Sequence, residues 1–91
     1  MVRAHVVISG VVQGVFFRHY TRERAGELGV KGWVKNRMDG KVEAVFEGEK
    51  EKVDKLIEWC NHGPAGARVT KVNVDWEDCR NEFDSFSVRG W

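Results

Sequence analysis

The order in which the hydrophobic spacing changes along the chain constrains the fold more than any other feature. Apolar residues recur at the helical period in two segments, from about Phe17 to Leu28 and from Glu49 to Asn61. Around these segments the apolar residues run continuously or alternate with polar ones, as they do in strands. The predicted order is therefore strand, helix, strand, strand, helix, strand, with a last strand at the C-terminus.

The strand pattern occurs in five segments. They are Ala4–Val12, Lys31–Met38, Lys41–Glu47, the region from Val72 to Glu77 and the region from Ser85 to Arg89. The first is β-branched and continuously apolar in its middle, which is typical of a central strand. Asp39-Gly40 stands alone between the second and third strands and is a strong signal for a hairpin turn.

Each helical segment places apolar side chains on one face. This face is expected to contain Phe17, Tyr20, Ala25 and Leu28 in the first helix, and Val53, Leu56, Ile57 and Cys60 in the second. Gly29 and Gly63 follow the helices and are expected to end them. The element order is the split βαβ pattern of an α+β ferredoxin-like sandwich, in which two helices cover one face of a mainly antiparallel sheet.

The size and charge of the chain exclude several classes of protein. Its 91 residues suffice for one domain, 1–91, and 42% hydrophobic with 32% charged residues fit a soluble globular protein. The net charge is +1 with Lys and Arg spread along the chain, so no nucleic-acid partner is expected. No stretch has the length of a membrane span and no signal peptide is evident, so we expect a cytoplasmic monomer without a membrane partner.

The cysteines and histidines have no metal-ligand spacing, so neither a metal nor another cofactor is expected. Cys60 and Cys79 are expected to be free thiols, the first in the core and the second exposed at a turn. His19 is left outside the catalytic set because adjacent helix residues point in different directions. The four tryptophans (Trp33, Trp59, Trp76 and Trp91) are expected to pack against the protein rather than stack on a ligand.

A short glycine-bearing loop connects the first strand to the first helix. The unpaired N–H groups of a helix N-terminus favour a bound anion, and Gly14 lets the backbone come close to it. Arg18 falls in the first helical turn, where a cation is poorly placed for its own helix but can bind phosphate oxygens. The alternative is an ordinary strand-to-helix turn with a solvent-facing arginine, since the loop matches neither GxxxxGK[ST] nor GxGxxG.

Asn36 lies near the end of the second predicted strand, just before the tight turn. Its amide can donate and accept hydrogen bonds at once, so it can hold a water molecule in a fixed orientation. The alternative is that this side chain only supports the hairpin, which is a common role of asparagine next to a turn.

Together the two segments resemble the acylphosphatase family. Gly10-x-Val12-Gln13-Gly14-Val15-x-Phe17-Arg18 is similar to the family's first signature, and Gly32-Trp33-Val34-Lys35-Asn36-x-x-x-Gly40-x-Val42, followed by Gly48, is similar to its second. The resemblance covers the whole chain. It implies hydrolysis of the carboxyl-phosphate bond of acyl phosphates, which gives a carboxylate and inorganic phosphate.

The resemblance also implies roles for particular residues. Arg18 is expected to bind the phosphate and Asn36 to orient the attacking water. A phosphate cradle is expected from the backbone N–H groups of Gln13, Gly14, Val15, Phe16, Phe17 and Arg18. The guanidinium and the fixed N–H dipoles would supply the charge stabilisation that Mg²⁺ supplies in other enzymes.

Two other functions fit the sequence less well. An RNA-recognition module shares the layout but requires an aromatic strand motif that this chain lacks. A domain that binds a phosphorylated ligand without turnover is disfavoured, because the chain retains both Arg18 and Asn36.

Overall fold

The computed structural model describes residues 1–90, so Trp91 and its expected packing lie outside the described residues. The elements are β1 (Val2–Val11), α1 (Phe17–Leu28), β2 (Lys31–Asn36), β3 (Val42–Gly48), α2 (Lys50–Cys60), β4 (Arg68–Glu77) and β5 (Phe86–Arg89). The strands form one sheet in the order β4-β1-β3-β2-β5. All neighbours are antiparallel except β2 and β5, which are parallel. The predicted α+β ferredoxin-like sandwich is confirmed.

The β2–β3 hairpin differs from its predicted form. β2 ends at Asn36 and β3 begins at Val42, whereas the predicted strands met at the Asp39-Gly40 dipeptide. The Arg37 N–H donates to the Lys41 carbonyl at 2.8 Å, and the Gly40 N–H donates to the Arg37 carbonyl at 3.3 Å. Three residues therefore form the tip instead of two, as in a type I turn that ends on a glycine.

The bounds of the other elements differ from the predictions only at their ends. The predicted first helix has the same bounds as α1, and α2 is one residue shorter at each end because Glu49 and Asn61 are its caps. β1 begins earlier than predicted and β4 begins well before Val72, at Arg68. None of the helices in residues 1–90 combines the length and the apolar content needed to span a membrane.

The core lies between the helices and one face of the sheet. Its fully or almost fully buried residues include Ala4, Val6, Ile8, Val34, Val42, Ala44 and Phe46 from the strands and Phe17, Ala25, Val53, Leu56 and Cys60 from the helices. The prediction that Tyr20 lies on the buried face of α1 was wrong, because this residue is 45% exposed and Thr21 is buried instead. Thr21 follows Phe17 by four residues, and its hydroxyl donates to the Phe17 carbonyl at 2.7 Å, which allows its burial.

The cysteines and tryptophans have different environments. Cys60 and Cys79 are both free thiols. Cys60 is buried as predicted, whereas Cys79 is half-buried rather than exposed at a turn. Burial raises the pKa of the Cys60 thiol, because the thiolate loses its hydration. Trp59 packs against Phe17, whereas Trp76 is 49% exposed and lies under the Lys50 ammonium group.

The opposite face of the sheet carries a network of charges around Arg3. Its guanidinium contacts Glu47 at 3.1 Å, Glu77 at 2.9 Å and Glu82 at 2.6 Å. Burial acts to raise the pKa of Glu47, but hydrogen bonds from the Arg80 amide and from Arg3 outweigh it and lower the pKa. Because β4 and β5 lie at opposite edges of the sheet, residues 78–85 must pass from one edge to the other. Arg3 and Glu47 hold this connection in place.

We expect Gly32→Ala to lower the free energy of unfolding by about 2–4 kcal/mol, since buried steric clashes are among the largest single-site effects. Gly32 has a φ of 139°, and an added Cβ would lie 1.8 Å from the Val45 carbonyl oxygen of β3. Urea denaturation measures the change.

The matched control is Gly26→Ala in the interior of α1, where an added Cβ meets no atom within 4 Å. This change should raise the free energy of unfolding by about 0.5–1 kcal/mol through helix propensity. Equal effects of the two substitutions would contradict the packing described for β2 and β3.

Candidate active site

The loop of residues 12–16, called here the cradle loop, connects β1 to α1. Gly14 has a φ of 76° and Phe16 a φ of 62°, so two of its residues adopt left-handed conformations. Phe16 is not a glycine and its side chain is 74% exposed, so neither its residue type nor burial of its ring explains this conformation. Left-handed conformations of residues other than glycine are strained and concentrate at functional sites.

The backbone amides at the start of α1 have no partner among the described residues. No amide from residue 13 to residue 19 donates a hydrogen bond to the backbone. The N-cap side chain makes no capping bond, and the first turn of α1 contains no acidic residue. The partial positive charge at this helix end is therefore uncompensated within residues 1–90. Such an end is suited to an anion.

Contacts at both ends hold the cradle loop in position. The Gln13 side-chain amide donates to the carbonyls of Arg37 at 2.7 Å and Lys41 at 2.9 Å, which ties the loop to the β2–β3 hairpin. At the other end, the buried ring of Phe17 packs against Trp59 with a centroid separation of 5.4 Å. The amides are thus presented on a fixed backbone.

Arg18 is positioned by the C-terminal strand. Its Nη1 donates to the Arg89 carbonyl of β5 at 3.2 Å, and no carboxylate among residues 1–90 forms an ion pair with it. A guanidinium has five N–H donors, so most of them stay available to a ligand. Arg89 itself lies over the Trp33 ring at 4.5 Å, which packs this end of β5 against β2.

Asn36 is the last residue of β2 and pairs with Val42 of β3. It is half-buried, and its carboxamide makes no hydrogen bond to any described residue. The alternative role, support of the hairpin, is filled by the Gln13 side chain instead, which bonds to carbonyls on both sides of the hairpin tip. The Asn36 amide is therefore available to a ligand or to a water molecule.

One cleft of about 470 Å³ brings most of the predicted site residues together. Its walls include Gly14, Phe16, Phe17, Arg18 and Asn36. The side chains of Gln13 and Val15 do not line it, so these residues could contribute only their backbone amides.

Two further side chains of α1 line the cleft. One is His19, whose Nε2 lies 3.6 Å from Glu23 and whose ring packs edge-on against Tyr20. The other is Arg22, which the sequence analysis missed. Its spacing of four residues from Arg18 was the available signal, because residues at this spacing share a helix face.

The chain is similar to known proteins over nearly its whole length. A family model described as acylphosphatase matches residues 4–88. A protein named acylphosphatase from Pelotomaculum thermopropionicum is 56% identical over 86 residues, which is 94% of each chain. The crystal structure of acylphosphatase from Bacillus subtilis has a TM-score of 0.94 at 31% identity and covers 98% of this chain and 99% of that one. An acylphosphatase structure from Coxiella burnetii has a TM-score of 0.91 at 43% identity, with coverage of 97% and 92%.

Gln13→Ala should weaken the binding of inorganic phosphate by about three- to tenfold, because both hydrogen bonds between the cradle loop and the hairpin are lost. Titration calorimetry measures the affinity. The control is Asn61→Ala, which removes a hydrogen bond from a side chain to the Ile57 carbonyl at the end of α2. An equal loss of phosphate affinity in both variants would mean that Gln13 acts only through general stability.

Proposed function

The chain belongs to the acylphosphatase family, hydrolases that act on acyl phosphates, and from this premise we propose how its cleft carries out the reaction. The amides of residues 13–18 and the Arg18 guanidinium bind the phosphoryl group, Asn36 orients the attacking water, and no metal ion takes part. The observation that carries this proposal is the row of unpaired amides at the start of α1, because four residues of this row line the same cleft as Asn36: Gly14, Phe16, Phe17 and Arg18.

The electrostatics of the cleft suit a phosphoryl group. The amides and the helix dipole favour negative charge, and Arg18 adds a full positive charge with a planar set of donors. None of the described residues lining the cleft carries a carboxylate, so the walls do not repel a dianion. Mg²⁺ in phosphoryl-transfer enzymes is usually held by carboxylates, and here the same charge stabilisation would come from the guanidinium and the amides.

The reaction requires little from acid or base side chains. A water oxygen attacks phosphorus, the bond from phosphorus to the acyl oxygen breaks, and its electron pair leaves with the carboxylate. One water proton passes to a phosphoryl oxygen, so a dianionic acyl phosphate and water give a carboxylate and dihydrogen phosphate. Asn36 cannot take up this proton near neutral pH, so its part is to hold the water in line. The carboxylate is a good leaving group and needs no general acid.

Other features of the proposal concern the whole chain. We propose that residues 1–91 act as a single acylphosphatase-like domain, which the match over residues 4–88 supports. The cytoplasmic location, the monomeric state and the lack of nucleic-acid and membrane partners stay predictions.

Purified protein should hydrolyse benzoyl phosphate in excess EDTA at the same rate as without it. Arg18→Ala should lower kcat/KM by about 10²–10³-fold and weaken inhibition by phosphate, because a transition-state donor and a ligand of the phosphoryl group are lost together. Asn36→Ala should lower kcat by about 10²-fold with little change in KM, since it removes only the positioning of water. Loss of activity in EDTA, or full turnover of Asn36→Ala, would contradict the proposal.

The matched control is His19→Gln, which removes the one imidazole among the described residues that line the cleft. It should keep kcat within about threefold of the unmodified protein if the phosphoryl oxygen accepts the proton. A loss of about 100-fold or more, together with a lost acidic limb in the pH profile, would instead make His19 the general base.

A further inference from the structure

Arg22 is a second arginine on the same cleft, one helical turn beyond Arg18. It is exposed, and among residues 1–90 it forms no ion pair. In the function proposed above, the charge of Arg22 neither holds the phosphoryl group nor orients the water.

The other charged side chains of α1 contrast with Arg22. Arg24 pairs with Glu27 at 3.2 Å, and His19 lies 3.6 Å from Glu23. The described residues that line the cleft include no Asp or Glu. The wall formed by α1 therefore presents Arg18 and Arg22 without an ion-pair partner among residues 1–90, whereas Arg24, which does not line the cleft, has one.

This arrangement is unfavourable for the helix itself. Like charges four residues apart repel, and a cation in the first turn, such as Arg18, opposes the helix dipole. The first turn contains no acidic residue to relieve either effect. An anion bound in the cleft would remove the repulsion, but the phosphoryl group is already accounted for by the amides and Arg18.

We propose that Arg22 binds a second anionic group on the acyl part of the substrate, so that the favoured substrates are acyl phosphates whose acyl group carries a carboxylate or a phosphate. The inference rests on the proposed function. The cleft of about 470 Å³ is much larger than a phosphoryl group, so the acyl group extends from the cradle loop into the remaining space. Side chains at this helical spacing have Cβ atoms about 6 Å apart, which suits an anion a few bonds beyond the carbonyl carbon.

The test compares benzoyl phosphate with its meta- and para-carboxybenzoyl counterparts, which share the reacting bond and cannot cyclise onto it. The measured quantity is the ratio of kcat/KM for a carboxylated substrate to kcat/KM for benzoyl phosphate. In Arg22→Gln this ratio should fall by about three- to tenfold for at least one isomer, and about 0.5 M NaCl should reduce it in the unmodified protein. A ratio has the advantage that any change in phosphoryl binding affects both substrates.

The matched control is Arg24→Gln, which removes the same charge two residues away on the same helix, at a position that does not line the cleft. It should leave the ratio unchanged. An unchanged ratio in Arg22→Gln, or an equal loss for all substrates, would overturn the inference while leaving the proposed function intact. No hydrolysis of any of the three substrates by the unmodified protein would overturn both.

Discussion

The row of unpaired amides at the start of α1 is the feature on which the rest of the site depends. These amides have no capping side chain, no acidic residue in the first turn and no backbone acceptor. Unpaired amides raise the free energy of the folded state unless water or a ligand accepts their hydrogen bonds. Phe16 adds to that cost, because a left-handed conformation at a residue other than glycine costs about 1–3 kcal/mol. The Gln13 bonds to the hairpin and the buried Phe17 ring keep this arrangement in place. The phosphoryl group that we propose to bind in the cradle loop would offset this cost.

The topology of the sheet brings the remaining groups to this helix end. β2 lies between β3 and β5, so Asn36 and the Arg89 carbonyl reach the same end of the sheet through the parallel pairing of β2 with β5. That pairing requires the chain to pass from one edge of the sheet to the other after β4, and the Arg3 network holds the passing segment. A charge cluster outside the cleft thus holds the segment that leads into β5, the strand whose Arg89 carbonyl positions Arg18.

The sequence predicted those parts of the molecule that depend on local signals. The bounds of α1 follow from Gly29 and from the helical period, and the order of the elements follows from the change of period along the chain. The prediction of a two-residue hairpin tip was wrong, because a glycine near the turn does not specify whether two or three residues form the tip. The burial of Thr21 was not predicted, because a hydrophobicity pattern does not indicate that a threonine hydroxyl can donate a hydrogen bond to a carbonyl of its own helix. The Gln13 side-chain bonds depend on contacts between distant elements, which spacing alone does not reveal. The position of Arg22 on the cleft, by contrast, could have been predicted from its spacing of four residues from Arg18.

The central claim is that water is brought to phosphorus while the cradle loop and Arg18 hold the phosphoryl group. Single-turnover hydrolysis of benzoyl phosphate in ¹⁸O-enriched water tests it most directly, because the label marks the atom that water attacks. The account predicts that the label is found in inorganic phosphate and that benzoate remains unlabelled. Label in the benzoate carboxyl would show attack at the carbonyl carbon, and it would contradict the roles proposed for Asn36 and for the cradle loop.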